Sequence, residues 1–157
     1  MVAASKTSGG STSSTVRYIL LYHPKEIRNV EDIVRICSAI GCEVLAIPRA
    51  ESSSDPCGIV RCVDEEGALS EISRCKILVL ETEGIDLHLA RLVDEKICIS
   101  VVLGAEDYGI PKEFIESLKS AGAIVVRIPM CSYGVSYNVV TSLVILLTEL
   151  SLAALRE

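Results

Sequence analysis

Two short stretches in the last third of the chain hold the residues best placed to do chemistry. In the first, the apolar run Val101-Val102-Leu103 stops at Gly104-Ala105-Glu106, and Gly109 and Pro111 follow before the next helical pattern. A strand that breaks into such a turn presents backbone N–H groups and a carboxylate, and Gly109 lets the chain double back closely. In the second, Ile128-Pro129-Met130 leads to Ser136-Tyr137-Asn138 and a long apolar helix. Two such loops meeting at one edge of a parallel sheet make a place for a nucleotide-like ligand. Taken singly, each has a plainer account: an ordinary strand-to-helix connection for Gly104-x-Glu106, and helix capping by Ser136 or Asn138. Arg35 follows the apolar Val34 at a position between a core stripe and solvent, and by itself reads as a common exposed helix arginine.

The elements that must position these residues alternate along the chain. Arg17 to Tyr22 reads as a buried strand ending at His23-Pro24, and Asn29 is expected to cap a helix with the apolar stripe Val30, Ile33, Val34, Cys37 and Ile40, closed by Gly41. Strands are expected at Cys42 to Ile47, Lys76 to Leu80, Ile97 to Leu103 and Ala123 to Ile128, with a short one at Ile59 to Val63. Helices are expected at Ala68 to Ser73, at Ile85 to Val93, from Pro111 to about Ser120, and from about Ser136 to Leu155. Strand and helix alternate throughout, which predicts an α/β fold: a mostly parallel sheet with helices on both faces.

Composition sets the frame. The chain has 157 residues, half of them hydrophobic, enough for one domain with a full core and too few for two typical ones. Residues 1–15 are dominated by Ser, Thr, Gly and Ala, lack the apolar core of a signal peptide and read as a disordered tail, leaving 16–157 as the single domain. Val139 to Leu155 is interrupted by Thr141, Ser142, Thr148 and Glu149 and falls short of the ~20 apolar residues of a membrane span, so a soluble, cytoplasmic protein is expected. Leu143 to Leu147 is apolar all round, and such a helix needs cover on more than one side, which favours a homodimer through this C-terminal helix.

The formal charge of −6 opposes general attraction to a polyanion, so any nucleic-acid role must rest on a local patch, with Arg17, Lys25, Arg28, Arg35 and Arg49 as candidates. Seven cysteines, at 37, 42, 57, 62, 75, 98 and 131, form no C-x-x-C pair and have only His23 and His88 beside them, which argues against zinc and for no metal. A reduced thiol set is the simple expectation; a Cys57 to Cys62 bridge is the alternative.

Three segments in order resemble the motifs of the TrmH/SpoU ribose methyltransferases of the SPOUT superfamily. Asn29-Val30-Glu31-Asp32-Ile33-Val34-Arg35 resembles the first, Leu103-Gly104-Ala105-Glu106-x-x-Gly109 the second, and Ile128-Pro129-Met130 through Ser136-Tyr137-Asn138-Val139 the third. The resemblance covers nearly the whole chain after the tail. It implies a C-terminal trefoil knot, contrary to the ordinary rule that chains do not thread loops. It also implies a dimer, S-adenosyl-L-methionine as cofactor, and methyl transfer to a ribose 2′-hydroxyl of tRNA or rRNA. By that likeness Leu80, Gly104, Ile128, Met130, Ser136 and Tyr137 would hold the cofactor, while Asn29, Arg35, Glu106, Ser136 and Asn138 form the catalytic polar set, Arg35 acting on substrate held largely by the other subunit. Arg35 would serve either as general base, demanding for a guanidinium whose pKa exceeds ~12, or by orienting phosphate and stabilising alkoxide character. The chain departs from the pattern at Glu31, Ala105 and Tyr137, where the family often has Gly, Asn and Leu. RNA recognition would fall to the dimer itself, or to an accessory protein that supplies positive surface. The alternative is a catalytically inactive module with the same fold, serving as partner subunit of an RNA-modifying complex. A third reading, a plain doubly wound nucleotide-binding domain, lacks a phosphate loop.

Overall fold

The computed structural model describes residues 16–50, 55–87, 98–129 and 138–155. Six strands form one sheet: β1 (Val16–Tyr22), β2 (Glu43–Ile47), β3 (Arg61–Cys62), β4 (Lys76–Asp86), β5 (Ile99–Leu103) and β6 (Ile124–Arg127). Their order is β3-β2-β1-β5-β4-β6 and every pairing is parallel. The helices are α1 (Ile27–Ile40), α2 (Glu65–Ile72), α3 (Lys112–Ser120) and α4 (Val139–Leu155), with a 3-10 turn at Pro56–Gly58.

Successive residues of a strand face opposite sides of the sheet. Ile19, Leu21, Leu78, Val101 and Leu103 pack with Val30, Ile33 and Cys37 of α1 and Leu143, Leu146 and Leu150 of α4. Tyr18, Leu20, Tyr22, Ile77, Val79 and Val102 pack with Ala68 and Ile72 of α2 and Phe114 and Leu118 of α3. Both faces are therefore covered, as the near-continuous apolar strands predict. The fully buried Ser100 gives its hydroxyl hydrogen to the Ile72 carbonyl at 2.9 Å, so the core holds this polar group without penalty. On α4, Val144 and Leu152 remain 45% and 39% exposed in the single chain.

Three expectations change. Asn29 is not a cap: α1 starts at Ile27 after Glu26, and the Asn29 amide is drawn into a tertiary contact described below. Pro111 occupies the cap position itself, one residue before α3, with φ −59°. The helix expected from Ile85 gives way to strand, because β4 runs on to Asp86, pairing Ile85 with Val126 and Asp86 with Arg127 after a register shift beyond Leu80. Gly84 permits this: a Cβ there would lie 2.5 Å from the Val126 carbonyl carbon. An ion pair between Asp86 and Arg127 closes the extension. Residues 88–93 of the expected helix, like the tail 1–15, lie outside the described residues.

The thiols are not all reduced. Cys57 bonds to Cys62 and Cys75 to Cys98. The second pair follows from register: Lys76 opposes Ile99 in the β4–β5 ladder, so the residues just before each strand sit side by side. Cys37 and Cys42 stay free. Among the described residues no helix is long and apolar enough to cross a membrane.

Candidate active site

The site forms where β1 and β5, paired through Leu21 and Leu103, end side by side at the sheet's C-terminal edge. The chain leaves β1 through His23, whose φ of 49° is unusual for a residue with a Cβ. The surroundings hold it there: the His23 N–H donates to the Ile47 carbonyl at 2.9 Å, and Arg49 Nε donates to the His23 carbonyl at 3.0 Å. Pro24 and Lys25 then carry the chain into α1.

The loop leaving β5 is tied on itself. Ala105 and Gly109 exchange two backbone hydrogen bonds, at 3.3 and 2.9 Å, with Gly109 at φ 68°. Gly104 packs so closely on this turn that a Cβ would come within 2.9 Å of the Gly109 carbonyl carbon. From β4, the Glu81 carboxylate accepts the Ile110 N–H at 2.9 Å and fastens the loop's far end. Glu106 is thereby presented to α1, where its two oxygens accept from the Lys25 backbone N–H at 2.9 Å and from Asn29 Nδ2 at 3.1 Å.

These residues border one cleft, with Leu21, Val30, Ile33 and Val139 as apolar walls and Asn29, Gly104 and Glu106 along its polar side. Asn138 stands next to Val139, and its Oδ1 accepts the Thr141 N–H at 2.8 Å, so it caps α4. Leu80 and Ile128 lie toward the neighbouring strands: Leu80 is opposite Leu103 and Val126, inside β4 rather than at its end, and Ile128 follows β6 half-buried against the α1/α4 core. Met130, Ser136 and Tyr137 lie outside the described residues. Arg35 is not among the cleft residues. Six positions beyond Asn29 is about 9 Å along a helix, and there its side chain is 79% exposed and pairs with Asp32 at 3.5 Å.

Beside the cleft stands a second cluster, of which the sequence marks only Arg49, as a candidate for a basic patch. Arg49 grips Asp107 through two bonds, at 3.0 and 2.6 Å, and lies 4.8 Å over the Tyr108 ring. Tyr108 Oη meets His23 Nδ1 at 2.5 Å, and the His23 ring stacks on Tyr22 at 4.2 Å. The Arg49 hydrogen bonds hold the Asp107 carboxyl below its usual range, and Asp107 in turn raises Arg49. Burial first, and then the Arg49 charge, push the His23 imidazole below its ordinary value. Tyr22, buried and donating to Glu65 at 2.9 Å, is pushed up to about 12. Sequence spacing shows only an aromatic inside a Gly-rich turn and an arginine just after a strand; their meeting depends on β2, β1 and β5 being adjacent.

No protein-family model matches the chain, and no curated protein sequence matches it. Solved structures do. A candidate RNA methyltransferase from Bacillus anthracis superposes with a TM-score of 0.70 at 22% identity, over 87% of this chain and 93% of that one. A protein whose structure addresses 2-OH methylation of C/U34 on tRNA superposes with a TM-score of 0.70 at 20% identity, over 91% and 99%. This chain has their fold. It is also the fold of the SpoU methyltransferase AviRb from Streptomyces viridochromogenes, solved with AdoMet (TM-score 0.68, 16% identity, 91% of this chain), of whose length this chain spans 58%.

Proposed function

We propose that this protein is an S-adenosylmethionine-dependent RNA 2′-O-methyltransferase acting on tRNA or rRNA, working as a homodimer through α4, with its C-terminal segment threaded as a trefoil knot. The observation that carries this reading is the Asn29–Glu106 contact. It joins the first and second of the three motif segments at a cleft whose wall includes Val139 of the third. The likeness in fold to RNA methyltransferases, one of them solved with AdoMet, supports it.

The described residues fit such a cofactor. Leu21, Val30, Ile33 and Val139 offer apolar side chains to a nucleoside, and Asn29, the Gly104 backbone and the Glu106 carboxylate mark the polar side. When bound, S-adenosylmethionine supplies an electrophilic methyl group on a sulfonium. The protein's part is positioning and proton removal. Glu106, tied to Lys25 and Asn29, fixes the turn between Gly104 and the start of α1, so the reacting groups meet a rigid frame. The apolar walls exclude water, which favours a step in which charge disappears. Arg35, exposed on α1, would reach substrate bound by the partner subunit and either take the ribose proton as general base or orient the phosphate and stabilise alkoxide character. Exposed Val144 and Leu152 on α4 provide apolar surface for that partner.

The test is direct. Calorimetric titration with S-adenosylmethionine is expected to show binding, and mapped ribose methylations in cells lacking the gene are expected to lose one site. Arg35→Ala is expected to bind cofactor normally yet fail to restore the methylation. Absence of cofactor binding together with an unchanged map would refute the proposal. Cofactor binding with an unchanged map would favour a non-catalytic module, a reading that draws on Arg35 standing outside the cleft of its own chain.

A further inference from the structure

Tyr108 is the most exposed large hydrophobic side chain among the described residues, 53% accessible, and its ring is nonetheless held by its neighbours. An exposed aromatic at a loop tip is ordinarily free to swing. Here three restraints act on one ring. Its hydroxyl meets His23 Nδ1 at 2.5 Å, Arg49 lies 4.8 Å over the ring, and the turn that carries it is cross-bonded between Ala105 and Gly109 and clipped by Glu81 at Ile110. Burial and the Arg49 charge push the His23 imidazole below its ordinary value, and in its Nε2–H tautomer Nδ1 accepts the tyrosine hydrogen. Arg49 is not a free cation for phosphate, because both its terminal nitrogens bind Asp107 and its Nε binds the His23 carbonyl. Its role here is to set the ring.

We propose that Tyr108 is a rigid stacking platform for a nucleobase of the RNA substrate, at the mouth of the Asn29–Glu106 cleft. The assignment rests on the RNA-modifying reading above. The platform is tied to that cleft through both chain segments: Tyr108 is two residues beyond Glu106, and His23 lies between the cleft residues Tyr22, on which it stacks, and Pro24. A ribose brought to a cleft between two loops is most readily taken from a single-stranded segment whose base is splayed from its neighbours, and an aromatic face recovers part of the lost stacking. Pre-ordering the ring removes the cost of immobilising it on binding. The net charge of −6 makes the same point from another direction, since bulk attraction to RNA is absent and affinity must come from local contacts. Lys25, in the segment joining β1 to α1, and Arg28, in the first turn of α1, are both exposed and placed to take backbone phosphates beside such a base.

Anisotropy titration of the full chain with a labelled random-sequence 20-nucleotide RNA, in saturating S-adenosylmethionine, tests this. Tyr108→Ala is expected to weaken RNA binding about tenfold, the size typical when a stacking aromatic is truncated, and Tyr108→Phe to weaken it less than threefold. Cofactor affinity should be unchanged in both. Because stacking touches no phosphate, the slope of log affinity against log salt should stay the same in Tyr108→Ala while the whole line drops. Lys25→Ala should instead flatten the slope. RNA affinity unchanged in Tyr108→Ala, or equal losses in Ala and Phe, would overturn the platform while leaving the methyltransferase reading intact. Wild-type protein that binds neither cofactor nor RNA would overturn both. A general folding defect would appear as a lowered melting temperature and lost cofactor binding, and that result too would overturn the assignment, since Tyr108 would then be structural.

Discussion

The Asn29–Glu106 contact can be tested by exchanging which partner carries the charge. In Asn29→Asp, a second carboxylate faces Glu106 across a gap now 3.1 Å wide. Coulomb's law at that separation costs about 1–3 kcal/mol for solvent-facing groups, and the lost hydrogen bond about 1 more. Position 29 is the third residue of α1, where the helix N-terminus favours a carboxylate by about 0.3–1 kcal/mol and offsets part of this. A net loss of about 2 kcal/mol at pH 7 follows. Glu106→Gln alone should cost under about 1 kcal/mol, because the Asn29 amide can turn over and accept from the new amide while the glutamine oxygen keeps the Lys25 N–H. In the double variant the glutamine donates to the carboxylate introduced at position 29, and most of the loss should return. Urea denaturation followed by circular dichroism would give a coupling energy of about 1–2 kcal/mol from the four proteins. The like-charge pair has a raised folded-state pKa, so the Asn29→Asp penalty should be complete above that value and fade as pH falls toward 4. Single-variant effects that add within about 0.3 kcal/mol would refute the contact as the join between the two segments.

Gly84→Ala would place a methyl 2.5–2.7 Å from three backbone atoms of Val126, none of which can rotate away, so β4 and β6 must part; a loss of about 3 kcal/mol in urea is expected, and a loss under about 0.5 would show the strands free to shift. Removing the Cys75–Cys98 bridge by paired alanines should cost about 3 kcal/mol and removing Cys57–Cys62 less, since the first closes a separation of 23 residues and the second of 5. Melting temperatures in the reverse order would count against that account. His23 has a folded-state pKa below its ordinary 6.5, so the folded protein binds fewer protons there than the unfolded chain, and its stability is whole above pH 6.5 and lost on acidification. His23→Gln should therefore lose less stability than wild type between pH 7.5 and 5.5, and an identical loss would place the acid sensitivity elsewhere.

Local pattern and composition account for the layers of this fold. Apolar runs such as Leu78-Val79-Leu80 and Val101-Val102-Leu103, with helical stripes between them, specify a parallel sheet covered on both faces, because period and burial are written in neighbouring residues. The order of the motifs likewise marks Asn29, Gly104 and Glu106. Tertiary structure decided matters that need two distant segments at once. Asn29 looks like a cap in sequence and is a partner of Glu106 in space, since a side chain amide serves whichever acceptor the fold brings near. Ile85 carries a helical spacing, yet pairing with Val126, admitted by the missing Cβ of Gly84, keeps it in a strand. Cys75 and Cys98 are unremarkable in line and adjacent in register. The cluster of His23, Arg49, Asp107 and Tyr108 comes from three loops that only the order β2-β1-β5 sets side by side. Periodicity along the chain says which face a residue takes, and strand order says which other residues share that edge.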